Sequence, residues 1–112
     1  MKISDELSKA NKLKEYISVL EYEITQCDNL KIKQELIDDL GEKINMFIDC
    51  LLKNNAIINI IPISLERVVL LERYFNGKTF KEIANRLGYK ERRVFQLHKQ
   101  GLETLQILNV AK

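Results

Sequence analysis

Leu13, Ile17, Leu20, Ile24 and Cys27 follow one another at intervals of four, three, four and three residues. Such spacing returns each side chain to one side of an α-helix and matches neither face of a strand. Lys14, Glu15, Glu21 and Glu23 flank the seam, as charges flank a helix that packs along a narrow stripe. The frame breaks at Cys27-Asp28-Asn29, because continuing it would place Lys31, Gln34 and Asp38 on the seam. A second seam then runs through Ile37, Leu40, Ile44, Phe47 and Leu51. The pattern predicts two amphipathic helices, about 5–26 and 30–53, joined by a tight turn, with a single bent helix as the alternative. Gly41 weakens the second helix by about 1 kcal/mol relative to alanine. Two helices alone bury little area, so the hairpin needs the rest of the chain, a second copy or another protein.

Asn54-Asn55 is read as the end of the second helix. The very apolar AIINIIPI that follows is read as a buried linker, since Pro62 limits its use as a strand and exposure would invite aggregation. Four glycines and one proline in 112 residues leave few turns, and strand-like alternation is nearly absent. The expected fold class is all-α: an N-terminal helical hairpin over 1–56 and a C-terminal helix-turn-helix domain over 57–112. No apolar run reaches the roughly 18 residues of a membrane helix. The opening residues lack the apolar core of a secretory signal. Cys27 and Cys50 are expected as buried structural thiols on or beside apolar seams in a reducing cytoplasm. With one histidine and these two distant cysteines, no metal and no cofactor is expected.

The formal net charge of +2 conceals an asymmetry. Residues 1–56 carry eight lysines against eleven carboxylates, a net −3, while 57–112 carry ten basic residues against five glutamates, a net +5. Lys78, Lys81, Arg86, Lys90, Arg92, Arg93 and Lys99 face only Glu82 and Glu91 within 76–100. Such asymmetry points the basic part at a polyanion and leaves the acidic part another task.

Helix punctuation is sharp where the charge collects. Ser64 can cap a helix that Asn76-Gly77 stops. Thr79-Phe80-Lys81-Glu82 fits a capping box opening a helix over about 80–87. Gly88 ends it, and a last helix runs from Lys90 or Glu91 to near Leu108. Two helices across a short glycine-containing turn form a helix-turn-helix. Counted from Phe80, small Ala84 stands fifth, where the helices approach, and Gly88 ninth, where the turn needs positive φ. Ile83, Leu87, Val94 and Leu97 hold the inward positions. An ordinary helical corner is the competing reading. In a helix-turn-helix the second helix enters the major groove. Lys90, Glu91, Arg92, Gln96 and Lys99 then face outward with Arg93 on the flank; Arg suits guanine, Gln adenine and Glu the cytosine amine. Lys78, Lys81 and the helix end at Thr79 suit phosphates.

LERYFNGKTFKEIANRLGYKERRVFQLHKQGLETL resembles region 4 of bacterial sigma factors. The likeness is carried by Leu71, Arg73, Tyr74 and Gly77, by Glu82-Ile83-Ala84 and Leu87-Gly88-Tyr89, and by Arg93-Val94, His98 and Leu102. It is nearest to small regulators of this kind in phages and prophages of Gram-positive bacteria, including late-operon transcription activators. Lys90 departs from the pattern, since such sequences usually carry Ser or another capping residue there. The resemblance implies a three-helix, sigma-region-4-like domain that binds double-stranded DNA. It extends over 64–105, and the hairpin takes nothing from it.

These features make a DNA-binding transcription regulator the leading expectation, with the hairpin forming a homodimer or touching RNA polymerase or a sigma factor. One alternative is an interaction module that binds polymerase or sigma without DNA; another is a small terminase-like DNA-packaging protein. No Ser/His/Asp arrangement, phosphate loop or dinucleotide fingerprint is present, so an enzyme is not expected and no catalytic residue is assigned. Asp38-Asp39 point about 100° apart on a helix and lack an acid partner. His98 is expected as a half-buried helical histidine, and Phe95 as a packing residue rather than a thymine contact.

Overall fold

The computed structural model describes residues 2–110. Five helices follow one another in that span: α1 (Ile3–Gln26), α2 (Leu30–Ile58), α3 (Leu65–Tyr74), α4 (Phe80–Leu87) and α5 (Glu91–Val110). All are α-helical, with no strand among the described residues.

The hairpin forms, but Ile37 and Ile44 of the expected second seam are exposed, because they lie at the edge of the face that α1 covers. Leu20 is buried, and Leu13, Ile17, Ile24, Leu40, Phe47 and Leu51 are half-buried between α1 and α2. Asn29 makes the reversal a turn rather than a bend: its side chain accepts from the amides of Lys31 and Ile32, capping α2. At 29 residues and about 1.5 Å per residue, α2 is about 44 Å long, most of the molecule's longest extent of 50 Å.

The second helix does not stop at Asn54-Asn55. It runs through both to Ile58, with Asn59 as its C-cap. Asn54 can stay inside because it is bonded there: its amide donates to the Leu7 carbonyl at 3.0 Å and the Tyr74 carbonyl at 2.9 Å. A buried amide with both partners supplied is no helix breaker. The apolar segment beyond it is covered only in part. Ile58 and Ile61 are buried, whereas Ile60 and Ile63 are exposed, so it is a helix end and a short link rather than a buried strap.

One core lies at the root of the hairpin, where Leu7, Ile58 and Ile61 meet Leu70, Tyr74 and Leu105. The N-terminal hairpin therefore packs on the C-terminal helices of its own chain at this end. A second core, Val69, Ile83, Ala84, Val94 and Leu97, joins α3, α4 and α5. α5 comes so close to α3 that a Cβ on Gly101 would lie 2.8 Å from Leu70 Cδ1. Cys27 and Cys50 are free thiols, half-buried rather than enclosed.

Candidate nucleic-acid interface

The α4–α5 corner is built from local signals that agree. Thr79 Oγ1 accepts from the Glu82 amide at 3.1 Å, and Glu82 accepts the Thr79 amide at 3.0 Å, completing the capping box. Those bonds hold the Glu82 carboxyl below its usual range, with nearby Lys78 and Lys14 adding to the effect. Gly88 ends α4 in the left-handed region at φ 73°, and the Tyr89 amide closes the turn on the Ala84 carbonyl at 3.0 Å. Ala84 is buried at the close approach, and Ile83, Val94 and Leu97 are buried beneath the corner, with Leu87 packed against them.

This core seats α5 so that its outer side faces solvent. Arg92, Gln96 and Lys99 step by four and three residues and lie together on one exposed face. Arg93 is exposed on one flank, beside Gln100. Glu91 and Phe95 are exposed on the other, where Phe95 packs against Phe80 at 4.7 Å between ring centroids. Lys90 is exposed just before the helix and starts it through its carbonyl, which accepts from Arg93 at 3.0 Å and Val94 at 3.3 Å. Lys81 is exposed at the start of α4, whereas Lys78 is half-buried. The capping box occupies the Thr79 hydroxyl and amide, so an outside phosphate at this helix end would meet the first-turn amides of Phe80 and Lys81.

Behind the corner lies a polar frame whose bonds, and whose buried Glu72, the residue pattern did not single out. Glu72 is buried; its carboxylate accepts from Asn76 Nδ2 at 2.7 Å and from Arg86 at 3.3 Å. It thereby ties α3 to the turn after it and to the end of α4, and it engages one of the seven basic residues. Arg73 donates to the Lys78 carbonyl at 3.0 Å, and its guanidinium lies 4.7 Å from the centre of the Phe80 ring. His98 is half-buried, with Nε2 2.6 Å from the Tyr74 hydroxyl and its ring edge-on to Phe80. Burial, then the Arg73 charge, lowers the His98 pKa below 6.5, and burial raises that of Tyr74. Both shifts favour the neutral forms of the hydrogen-bonded pair. Arg73, Tyr74 and His98 were visible in sequence as carriers of the resemblance and His98 as half-buried, whereas for Glu72 only its place among apolar neighbours on α3 signalled a role.

A capped α4, a left-handed glycine turn and an exposed basic helix together make a helix-turn-helix. Residues 64–106 match the family model of Sigma-70, region 4. The match covers α3, α4 and most of α5, less than half of the chain, and leaves the hairpin outside. No curated protein and no solved structure matches the chain. The C-terminal helices are thus a sigma-region-4-like helix-turn-helix, and the family they resemble is DNA-binding and non-enzymatic in kind. No helix among the described residues is long and apolar enough to cross a membrane.

Proposed function

We propose that this chain is a sequence-specific, phage-derived transcription regulator that reads the major groove of double-stranded DNA with the helix beginning near Lys90. The reading rests on one observation: Arg92, Gln96 and Lys99 share the exposed face of a helix whose opposite side is locked against a capped α4. In the groove, Arg92 forks onto guanine O6 and N7, Gln96 pairs with an adenine edge, and Glu91 accepts from a cytosine amine. Lys90, Arg93 and Lys99 flank these contacts, while Lys78, Lys81 and the α4 start at Thr79 hold phosphates and fix the register. The work divides at about residue 56, the net −3 of the hairpin keeping residues 1–56 off the duplex that the basic half binds. Such a protein acts in the cytoplasm.

A protein partner is also supported. Leu65 and Val68 on α3 and Phe75 at its C-cap are exposed apolar side chains, a site fit for RNA polymerase or a sigma factor. An interaction module using only that side is the second reading.

Mobility-shift titration against genomic fragments tests the first. The unaltered chain should retard a discrete subset, and Arg92→Ala/Arg93→Ala should weaken that binding by on the order of 10- to 100-fold. Equal affinity of both proteins at every salt concentration contradicts groove reading. Capture of polymerase with no retarded fragment favours the interaction module.

A further inference from the structure

The outward side of α2 carries an apolar seam that the described residues leave largely exposed. Leu30 is 83% exposed, Ile37 41%, Ile44 39%, Ile48 47% and Leu52 62%. With Gln34 and Gly41, Leu30, Ile37, Ile44 and Ile48 keep intervals of four and three from 30 to 48, and the half-buried Leu51, at the edge of the α1 contact, continues the series to just over three heptads. Gly41 lies in the middle, and a Cβ there would meet nothing within 4 Å. A glycine inside a helix costs about 1 kcal/mol, and no neighbour among the described residues requires this one. Together with the half-buried Leu36, Leu40 and Phe47, the seam widens the apolar arc of α2 to about 160°, more than the roughly 100° stripe that one packing face needs. α1 covers one part of that arc. On the far side of α1's contact the hairpin is closed by polar groups, Tyr16 donating to Asp39 at 3.1 Å and Lys43 pairing with Asp39 at 2.8 Å.

We propose that two copies of this chain pair antiparallel along this face of α2. A heptad spacing held over this length fits another helix running beside it, not a compact surface. The face is also complementary to itself in one register. Setting Gly41 opposite Ile44 of the partner subunit puts Ile37 opposite Ile48 of the partner subunit and Gln34 opposite Leu51 of the partner subunit. A two-fold axis makes each contact twice, so small meets large at the centre and isoleucine meets isoleucine on either side. In that register Lys31 lies beside Leu52 of the partner subunit and Asp38 beside Asn45 of the partner subunit, with no like charges opposed. A parallel pair would set Gly41 against its own copy and leave a gap at the centre.

The test contains no DNA, so its outcome is independent of the groove-reading proposal. Sedimentation of the full chain across the micromolar range should give twice the 13.1 kDa monomer mass. Ile44→Lys/Ile48→Glu alters only exposed positions and should raise the dissociation constant by on the order of 100-fold or more, with helical circular dichroism unchanged. In a Cys27→Ser/Cys50→Ala background, Ile37→Cys mixed with Ile48→Cys should cross-link to each other in preference to themselves. A monomer at every concentration, a larger ring, or a dimer that survives the folded double variant would overturn the proposal. So would cross-links formed only between identical chains, which also decide the matter if the charged variant does not fold.

Discussion

Asn54 joins three helices through one side chain. Its amide satisfies carbonyls of Leu7 at the start of the hairpin and Tyr74 at the end of α3, inside a core that contains Ile58 and Leu105. Replacing it with leucine leaves the Tyr74 carbonyl at the end of α3 without its donor, at about 1–3 kcal/mol for such a buried group, while the Leu7 carbonyl keeps its bond within α1. Asn54→Leu should therefore lower the urea midpoint of unfolding, and an unchanged midpoint would show that the bridge contributes nothing. His98 gives a pH dependence with a definite sign. Its folded pKa lies below 6.5, so the unfolded chain binds the proton more readily. Stability conferred by the neutral imidazole is then complete above about pH 6.5 and is lost as pH falls from there toward the folded value. Thermal scans should show a falling midpoint over that interval in the unaltered chain and a flatter profile in His98→Gln. Neither residue was fully legible in the sequence. A side-by-side Asn pair reads as a helix stop unless its buried acceptors are known, and those lie 47 and 20 residues away. His98 was legible as half-buried, but its bond to Tyr74 was not.

Helix existence and helix ends divided along the same line. α3, α4 and the start of α5 were legible because their boundaries are written in local chemistry: Ser64, the Thr79–Glu82 box and Gly88 at positive φ. Removing one such signal should have a local effect. Thr79→Ala breaks the box and should destabilise the domain by about 1 kcal/mol, measured by denaturant unfolding. A loss indistinguishable from zero would mean that packing of Ile83 and Ala84 alone fixes the start of α4. The end of α2 was not legible, because tertiary hydrogen bonds carry the helix past two poor helix formers. Gly101 is similar: its role as the crossing point of α5 over Leu70 depends on a neighbour 31 positions earlier. In the hairpin, spacing gave the inward seam correctly yet blurred its edge. Ile37 and Ile44 belong as much to the exposed stripe as to the contact with α1.

Across the whole molecule the charge split follows the architecture. The acidic hairpin projects from a basic helix-turn-helix, and the two share a core only at the hairpin root, through Leu7 and Ile58 against Leu70, Tyr74 and Leu105. Composition made this polarity visible, because each half keeps its own sign. It could not show how the halves join, since that depends on side chains distant in sequence. The same geometry separates two kinds of basic residue. Arg92 stands on the outer face of α5, Lys81 at the start of α4, and Arg86 on the buried Glu72. The most direct test is the salt dependence of binding to a selected DNA fragment, with single substitutions at Arg92 and Lys81. Lys81→Ala should weaken binding to all fragments alike and make the log–log salt slope shallower by about 0.9, the loss of one phosphate contact. Arg92→Ala should erode discrimination between the selected fragment and random duplex by on the order of 10-fold or more. Discrimination left intact by Arg92→Ala, with a salt slope near zero in the unaltered chain, would contradict the assignment of α5 as the DNA-reading helix.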